Sequence, residues 1–181
     1  MTALAEIRAL MPCRPLTATE ARSIGERQAA RLLRHYEITE PPVSELVIEH
    51  FPRVRVRYIT SERLAGASRW SHGTWRILVN RGDYYGRRRF TLAHEFKHVL
   101  DHPFRDVIYN GRRIPPAIAA EYAADTFAAA LLMPRAWVKR AFYDHGIRDE
   151  RMLARRFGVS ALAMRRRITE LGLLEPDGVL A

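Results

Sequence analysis

The sequence has a single cysteine, Cys13, little lysine among its basic residues, and no apolar run that approaches membrane-spanning length. One cysteine excludes an internal disulfide and any multi-cysteine metal site, which suits a reducing compartment. Met1 to Cys13 carries Glu6 and Arg8 among its apolar residues and reads as too short and too interrupted for a secretory signal. A cytoplasmic location is therefore expected. Cysteine nucleophile chemistry is not, because Met11-Pro12-Cys13-Arg14-Pro15 reads as extended N-terminal chain.

What is present suits a globular protein. A chain of 181 residues with 48% hydrophobic composition can bury a good core and carry a small appendage. The net charge is +10, most of it from arginine. Such a balance points to an acidic partner, whether nucleic acid or an acidic protein surface, or to an arginine-rich proteome; composition does not separate them.

The chemistry is concentrated in Thr91-Leu92-Ala93-His94-Glu95-Phe96-Lys97-His98-Val99-Leu100. Two histidines four apart, with a glutamate directly after the first, have the spacing of a zinc-hydrolase helix. At about 100° per residue His94 and His98 fall roughly 40° apart, so both imidazoles reach one ion from one face. Glu95 sits at the edge of that face, suited to hold water rather than to ligate. Leu92, Phe96, Val99 and Leu100 project to the opposite side, so that one face binds and the other packs.

A second segment, Glu121 to Pro134, reads as a helix stopped by proline. Glu121 and Asp125 form an i, i+4 pair in a run that is otherwise mostly alanine, leucine and aromatic. A zinc hydrolase needs a third protein ligand, and a ligating histidine usually passes its other ring proton to a carboxylate. Glu121 suits the first role and Asp125 the second; the plainer alternative is two solvated helix acids. His102 is a rival ligand, but three histidines at successive turns span about 12 Å of helix axis, too far for one tetrahedral ion. Pro103 ends the helix near His102, which favours capping or packing for that residue.

Elsewhere, Thr19 to Tyr36 and Ser44 to His50 read as helices around a Pro41-Pro42 break. Val54 to Ile59 and Thr74 to Asn80 alternate as strands, with a weaker strand at Ala67 to Trp70. Together they predict a small antiparallel sheet beside the metal helix. Arg81, Arg87, Arg88 and Arg89 crowd the approach to that helix, either as a solvated loop or to steer substrate. From Arg135 to Arg167 ten Lys and Arg face three acids, a net of +7. Asp149 and Ser160 as N-caps and Gly158 and Gly172 as stops predict two short helices joined at Phe157-Gly158-Val159-Ser160. That arrangement is helix-turn-helix-like, with Arg165, Arg166 and Arg167 on the second helix.

These pieces, in order, resemble the ImmA/IrrE family of metallo-endopeptidases. The likeness rests on the approach from Arg88 to Glu95, on His102, on the Glu121-to-Asp125 helix running into Leu-Leu-Met-Pro, and on Leu153 to Ser160 with Ala163, Arg167 and Leu171-Gly172-Leu173. It covers roughly residues 20 to 174. It implies an α+β, zincin-like metallopeptidase domain over 15–134 and a helical, helix-turn-helix-like region over 135–174. By position it implies one zinc ion (Zn2+) per chain on His94, His98 and Glu121, with Glu95 as general base and Asp125 orienting His94. The expected substrate is a helix-turn-helix repressor whose cleavage releases stress, prophage or mobile-element genes, received in extended form along a strand edge. Direct DNA binding by the C-terminal helices is the alternative, and a non-catalytic regulator the runner-up function.

The chain departs from the family pattern twice. Asp125 stands where asparagine is frequent, and Lys97 where a small residue is typical. Lys97 either snorkels to solvent, or its charge weakens metal binding or depresses the pKa of Glu95. Tyr109, Tyr122 and His145 are candidates to stabilise an oxyanion.

Overall fold

The computed structural model describes residues 3–110 and 114–174. In chain order the elements are α1 (Ala3–Arg8), α2 (Ala18–His35), α3 (Leu46–Glu49), β1 (Val54–Ile59), β2 (Gly66–Ser71), β3 (Thr74–Asn80), α4 (Tyr85–Asp101), α5 (Arg105–Ile108), α6 (Pro116–Leu132), α7 (Arg135–Tyr143), α8 (Glu150–Phe157) and α9 (Ala161–Glu170). The architecture is mixed α+β, with a small sheet on one side of α4 and helices on the other.

Local chemistry sets several boundaries. Thr17 caps α2 and exchanges bonds with Glu20 in a capping box. Asp149 accepts from Met152 N at 2.7 Å to start α8, and Ser160 accepts from Ala163 N at 3.0 Å to start α9. Between them Gly158 takes φ +64°, the left-handed conformation that ends a helix without a Cβ penalty. α6 begins at Pro116, more than a turn before Glu121, because proline is well placed at the first helical position.

The three strands lie in the order β1-β3-β2. β2 and β3 form an antiparallel hairpin, with Ser71 opposite Thr74 and the turn made by His72 and Gly73, both at positive φ. β1 pairs parallel to β3, from Val54 opposite Trp75 to Ile59 opposite Asn80. The sheet is therefore mixed rather than purely antiparallel. Alternation marks a strand half-buried on one face, but it is blind to the direction of its neighbour.

α4 is the centre of the molecule. Leu92, Ala93, Phe96, Val99 and Leu100 are fully buried, and Phe96 packs against Phe51 (ring centroids 4.9 Å) and Phe127 (6.3 Å). α6 lies against both α2 and α4. The same apolar cluster continues through Leu153, Ala154, Phe157, Met164 and Ile168, so α8 and α9 share the core of the rest. Gly86 makes this possible: a Cβ there would come within 2.7 Å of Val159 C and 2.9 Å of Ser160 N, so the turn before α9 rests directly on the first turn of α4.

Candidate metal centre

The motif face of α4 and the second turn of α6 meet at one point. His94 Nε2 lies 3.1 Å from His98 Nε2 and 3.2 Å from Glu121 Oε2, and His98 Nε2 lies 3.3 Å from Glu121 Oε1. The two imidazole nitrogens thus face the two oxygens of one carboxylate, and the three side chains form a tight triangle. Metal–ligand bonds of about 2.0–2.1 Å at tetrahedral angles place ligand atoms about 3.3 Å apart, a separation close to those found here, so the donor set suits a zinc ion. The donor chemistry, two imidazoles and a carboxylate, is that of a hydrolytic zinc site. Among the described residues no other group of histidine, cysteine or acidic side chains is gathered in this way.

Asp125, one turn after Glu121, is 2.8 Å from His94 Nδ1. This bond orients the ring and leaves Nε2 directed at the triangle. Burial works against a charge on His94, yet the Asp125 hydrogen bond and the Asp125, Glu121 and Glu95 carboxylates outweigh it and raise its pKa. On His98, burial and the neighbouring His94 outweigh the carboxylates, and the pKa falls. The two motif histidines are thus electrostatically distinct, because only His94 has its second ring nitrogen on a carboxylate hydrogen bond.

Glu95 is buried and lines a cleft of about 640 Å³ together with His94, Glu121 and Asp125. β2 is the edge strand on this side, and its first residue, Gly66, presses on α4. A Cβ at Gly66 would collide with Thr91 Cγ2 and come within 3.2 Å of Glu95 Cγ. Glycine therefore lets the strand edge approach the face of the helix that carries Thr91 and Glu95.

Packing decides several residues that the sequence left open, and places His102 in packing as expected. Lys97 neither reaches solvent nor faces the cleft. It is buried on the opposite side of α4, 2.5 Å from Asp101 Oδ1 and 2.9 Å from Gln28 Oε1 of α2, while Tyr109 donates its hydroxyl to Asp101. Burial lowers its pKa against the opposing pull of Asp101. Tyr109 is therefore committed to this network, and neither Tyr122 nor His145 lines the cleft. His102 stands apart from the triangle, its ring edge-on to Trp75 at 4.8 Å.

The arginines before the motif divide in the same way. Arg87 pairs with Asp83 at 3.3 Å, and Arg81 donates to Tyr58 O at 3.0 Å. Arg89 is buried and donates to Phe157 O, Gly158 O and Val43 O. Arg167 is likewise buried, with Nε donating to Met133 O at 3.0 Å. Sequence reading missed both as structural residues, although the signal was there. Arg89 begins the buried i, i+3, i+4, i+7 stripe with Leu92, Ala93 and Phe96, and Arg167 shares a face with Met164 and Ile168.

The family model Peptidase_M78, described as the IrrE N-terminal-like domain, matches residues 49–169. The chain belongs to this family. Membership implies a metallopeptidase-type protein and a metal, and the matched span contains the triangle, Glu95 and the α8–α9 pair. A solved structure similar to this member of the Peptidase_M78 family is a Mycobacterium tuberculosis transcriptional regulator, with a TM-score of 0.64 and 19% identity. The alignment covers 98% of this chain and 54% of the regulator, so the chain spans about half that protein's length. At that identity the likeness is one of fold. No curated protein matches the chain.

Proposed function

We propose that this chain is a zinc-dependent endopeptidase of narrow specificity, acting inside the cell on a helix-turn-helix repressor. The observation that carries the reading is the His94–His98–Glu121 triangle with Glu95 beside it in an open cleft. The sheet edge, the motif helix and the glutamate-bearing helix support a zincin-like arrangement, with the catalytic part over 15–134 and the helix-turn-helix-like part over 135–174. No described helix is long and apolar enough to cross a membrane.

His94, His98 and Glu121 would hold the zinc ion, and Asp125 would keep His94 oriented. When bound, such an ion polarises a carbonyl and lowers the pKa of water. Glu95 takes a proton from the attacking water and delivers it to the leaving amine nitrogen, so the carboxylate acts first as base and then as acid. The free edge of β2 lies where an extended segment can add as a further strand and bring its scissile bond to Glu95.

Zinc content by elemental analysis tests the site. We expect close to one ion per wild-type chain, retained by His102→Ala and lost by Glu121→Ala. Glu95→Gln should keep the ion and slow cleavage of the cognate repressor by about 100-fold or more. A wild-type chain that takes up no zinc supports the runner-up reading instead, a non-catalytic regulator that binds a repressor or DNA through its basic C-terminal helices.

A further inference from the structure

In a DNA-binding helix-turn-helix, the N-terminal residues of the second helix enter the major groove. Here those residues point elsewhere. Leu162, Ala163 and Arg166 of α9 line the same cleft as His94, Glu95 and Glu121. Three contacts hold them there: Gly86 under Val159 and Ser160, Arg89 on the carbonyls of Phe157 and Gly158, and Arg167 on Met133 O at the end of α6. Arg165, on another face, is fixed to Glu150 at 2.6 and 2.9 Å. The helix that would read bases is thus built into the wall of the cleft.

Two kinds of side chain on the cleft walls are unspent. Leu162 (59% exposed), Leu64 (48%) and Tyr84 (58%) present apolar surface to solvent. Arg63 and Arg166 are exposed and have no carboxylate partner among the described residues. The acids of the cleft do not neutralise them. Glu121 and Asp125 are engaged by the histidines, and Glu170 is held by Arg22 and Arg167. Only Glu95 is left, and it belongs to the motif face.

We infer that α9 is the substrate-reading wall of the cleft, and that with Arg63 it selects a protein segment carrying a large apolar side chain close to a carboxylate. The apolar side chain covers Leu162, Leu64 and Tyr84, and the carboxylate meets a guanidinium in charge-assisted hydrogen bonds. This rests on the peptidase reading for the identity of the reaction, but not for the binding preference. It accounts for why a basic helix pair packs against a metal centre rather than standing free: its charge selects the protein to be cut.

The test uses the zinc-loaded full chain, as wild type, as Glu95→Gln, and with Arg63→Glu and Arg166→Glu combined on each background. Randomised short peptides are digested and the cut sites read by mass spectrometry. In parallel, Glu95→Gln binding is followed by fluorescence anisotropy with two labelled peptides that place leucine next to aspartate or next to lysine. We expect cut sites enriched in Asp and Glu within a few residues of the broken bond, and about tenfold tighter binding of the aspartate peptide. The charge-reversed chain should shift both preferences towards Lys and Arg. Cleavage or binding indifferent to charge, a preference that survives the reversal, or binding of neither peptide overturns the inference. So does duplex DNA binding that the reversal abolishes in place of peptide selection. Acid-selective binding without cleavage by wild type would sink the peptidase reading and leave the inference standing.

Discussion

Arg87-Arg88-Arg89 and Arg165-Arg166-Arg167 are the same word written twice, and the fold puts them to partly different use. In each triplet the first arginine makes an exposed ion pair, Arg87 with Asp83 and Arg165 with Glu150. In each the third is buried and donates to carbonyls at the C-terminal end of another helix. Arg89 of α4 caps α8 at Phe157 and Gly158; Arg167 of α9 caps α6 at Met133. Cations are favoured there because helix carbonyls leave partial negative charge at that end. The two buried arginines therefore lash the C-terminal helices to the part that carries His94, His98 and Glu121 from both directions. The difference lies in the middle residue: Arg88 donates to Arg81 O at 3.4 Å, whereas Arg166 faces the cleft unpaired among the described residues. Net charge in a sequence is thus not the charge available to a partner.

The sharpest way to break the comparison is Arg89→Ala. Arg89 serves three carbonyl groups, of Val43, Phe157 and Gly158, and the nearby Glu45 carboxylate acts on it only through its charge. Removing it strands those oxygens and opens a cavity between α4 and the α8–α9 turn. We expect a loss of about 4 kcal/mol, read as a fall in the urea midpoint at unchanged m, with faster amide exchange in α8 and α9. Lysine should not rescue it, because one ammonium cannot fork across separate carbonyls. A loss within experimental error of zero would show that Gly86 packing, the shared apolar core and Arg167 hold the turn without Arg89.

Arg167→Ala should cost less, about 2 kcal/mol. It abandons one carbonyl, that of Met133, while Glu170 keeps Arg22 as a partner. If the two alanine variants lose equal stability, the number of carbonyls served is not what sets the cost, and the buried volume of the guanidinium is.

These two residues also mark where the sequence stops being readable. The motif helix, the capping residues Asp149 and Ser160, and the stop at Gly158 were legible because each is local: periodicity or a side chain meeting its own backbone a few residues on. The meeting of His94 and His98 with Glu121 was legible because two helices each carried a short, chemically odd pattern. Pairings made only by folding were not. The parallel partner of β1 lies across the hairpin, and Lys97 read as snorkelling to solvent or acting on the metal site although Asp101, one turn on, already offered a partner; Gln28 and Tyr109 complete the network from other segments. The placement of α9 in the cleft wall depends on Gly86, Arg89 and Arg167 acting together, and no one of them announces it.

The smallest effects should come from the first arginine of each triplet. Arg87→Ala and Arg165→Ala remove exposed ion pairs, in which solvent screening and side-chain entropy cancel most of the attraction. We expect urea midpoints indistinguishable from wild type in both. The pair is still informative because the two bonds differ in reach. Arg87 and Asp83 are four residues apart at the start of α4, whereas Arg165 bridges α9 to Glu150 in the first turn of α8 with two short hydrogen bonds. A measurable loss in Arg165→Ala alone would mean that the α8–α9 pair needs this surface clasp as well as its buried anchor. The wall of the cleft would then be less firmly set than Arg89 and Arg167 make it, and the position of Arg166 on that wall would depend on Arg165 holding its helix still.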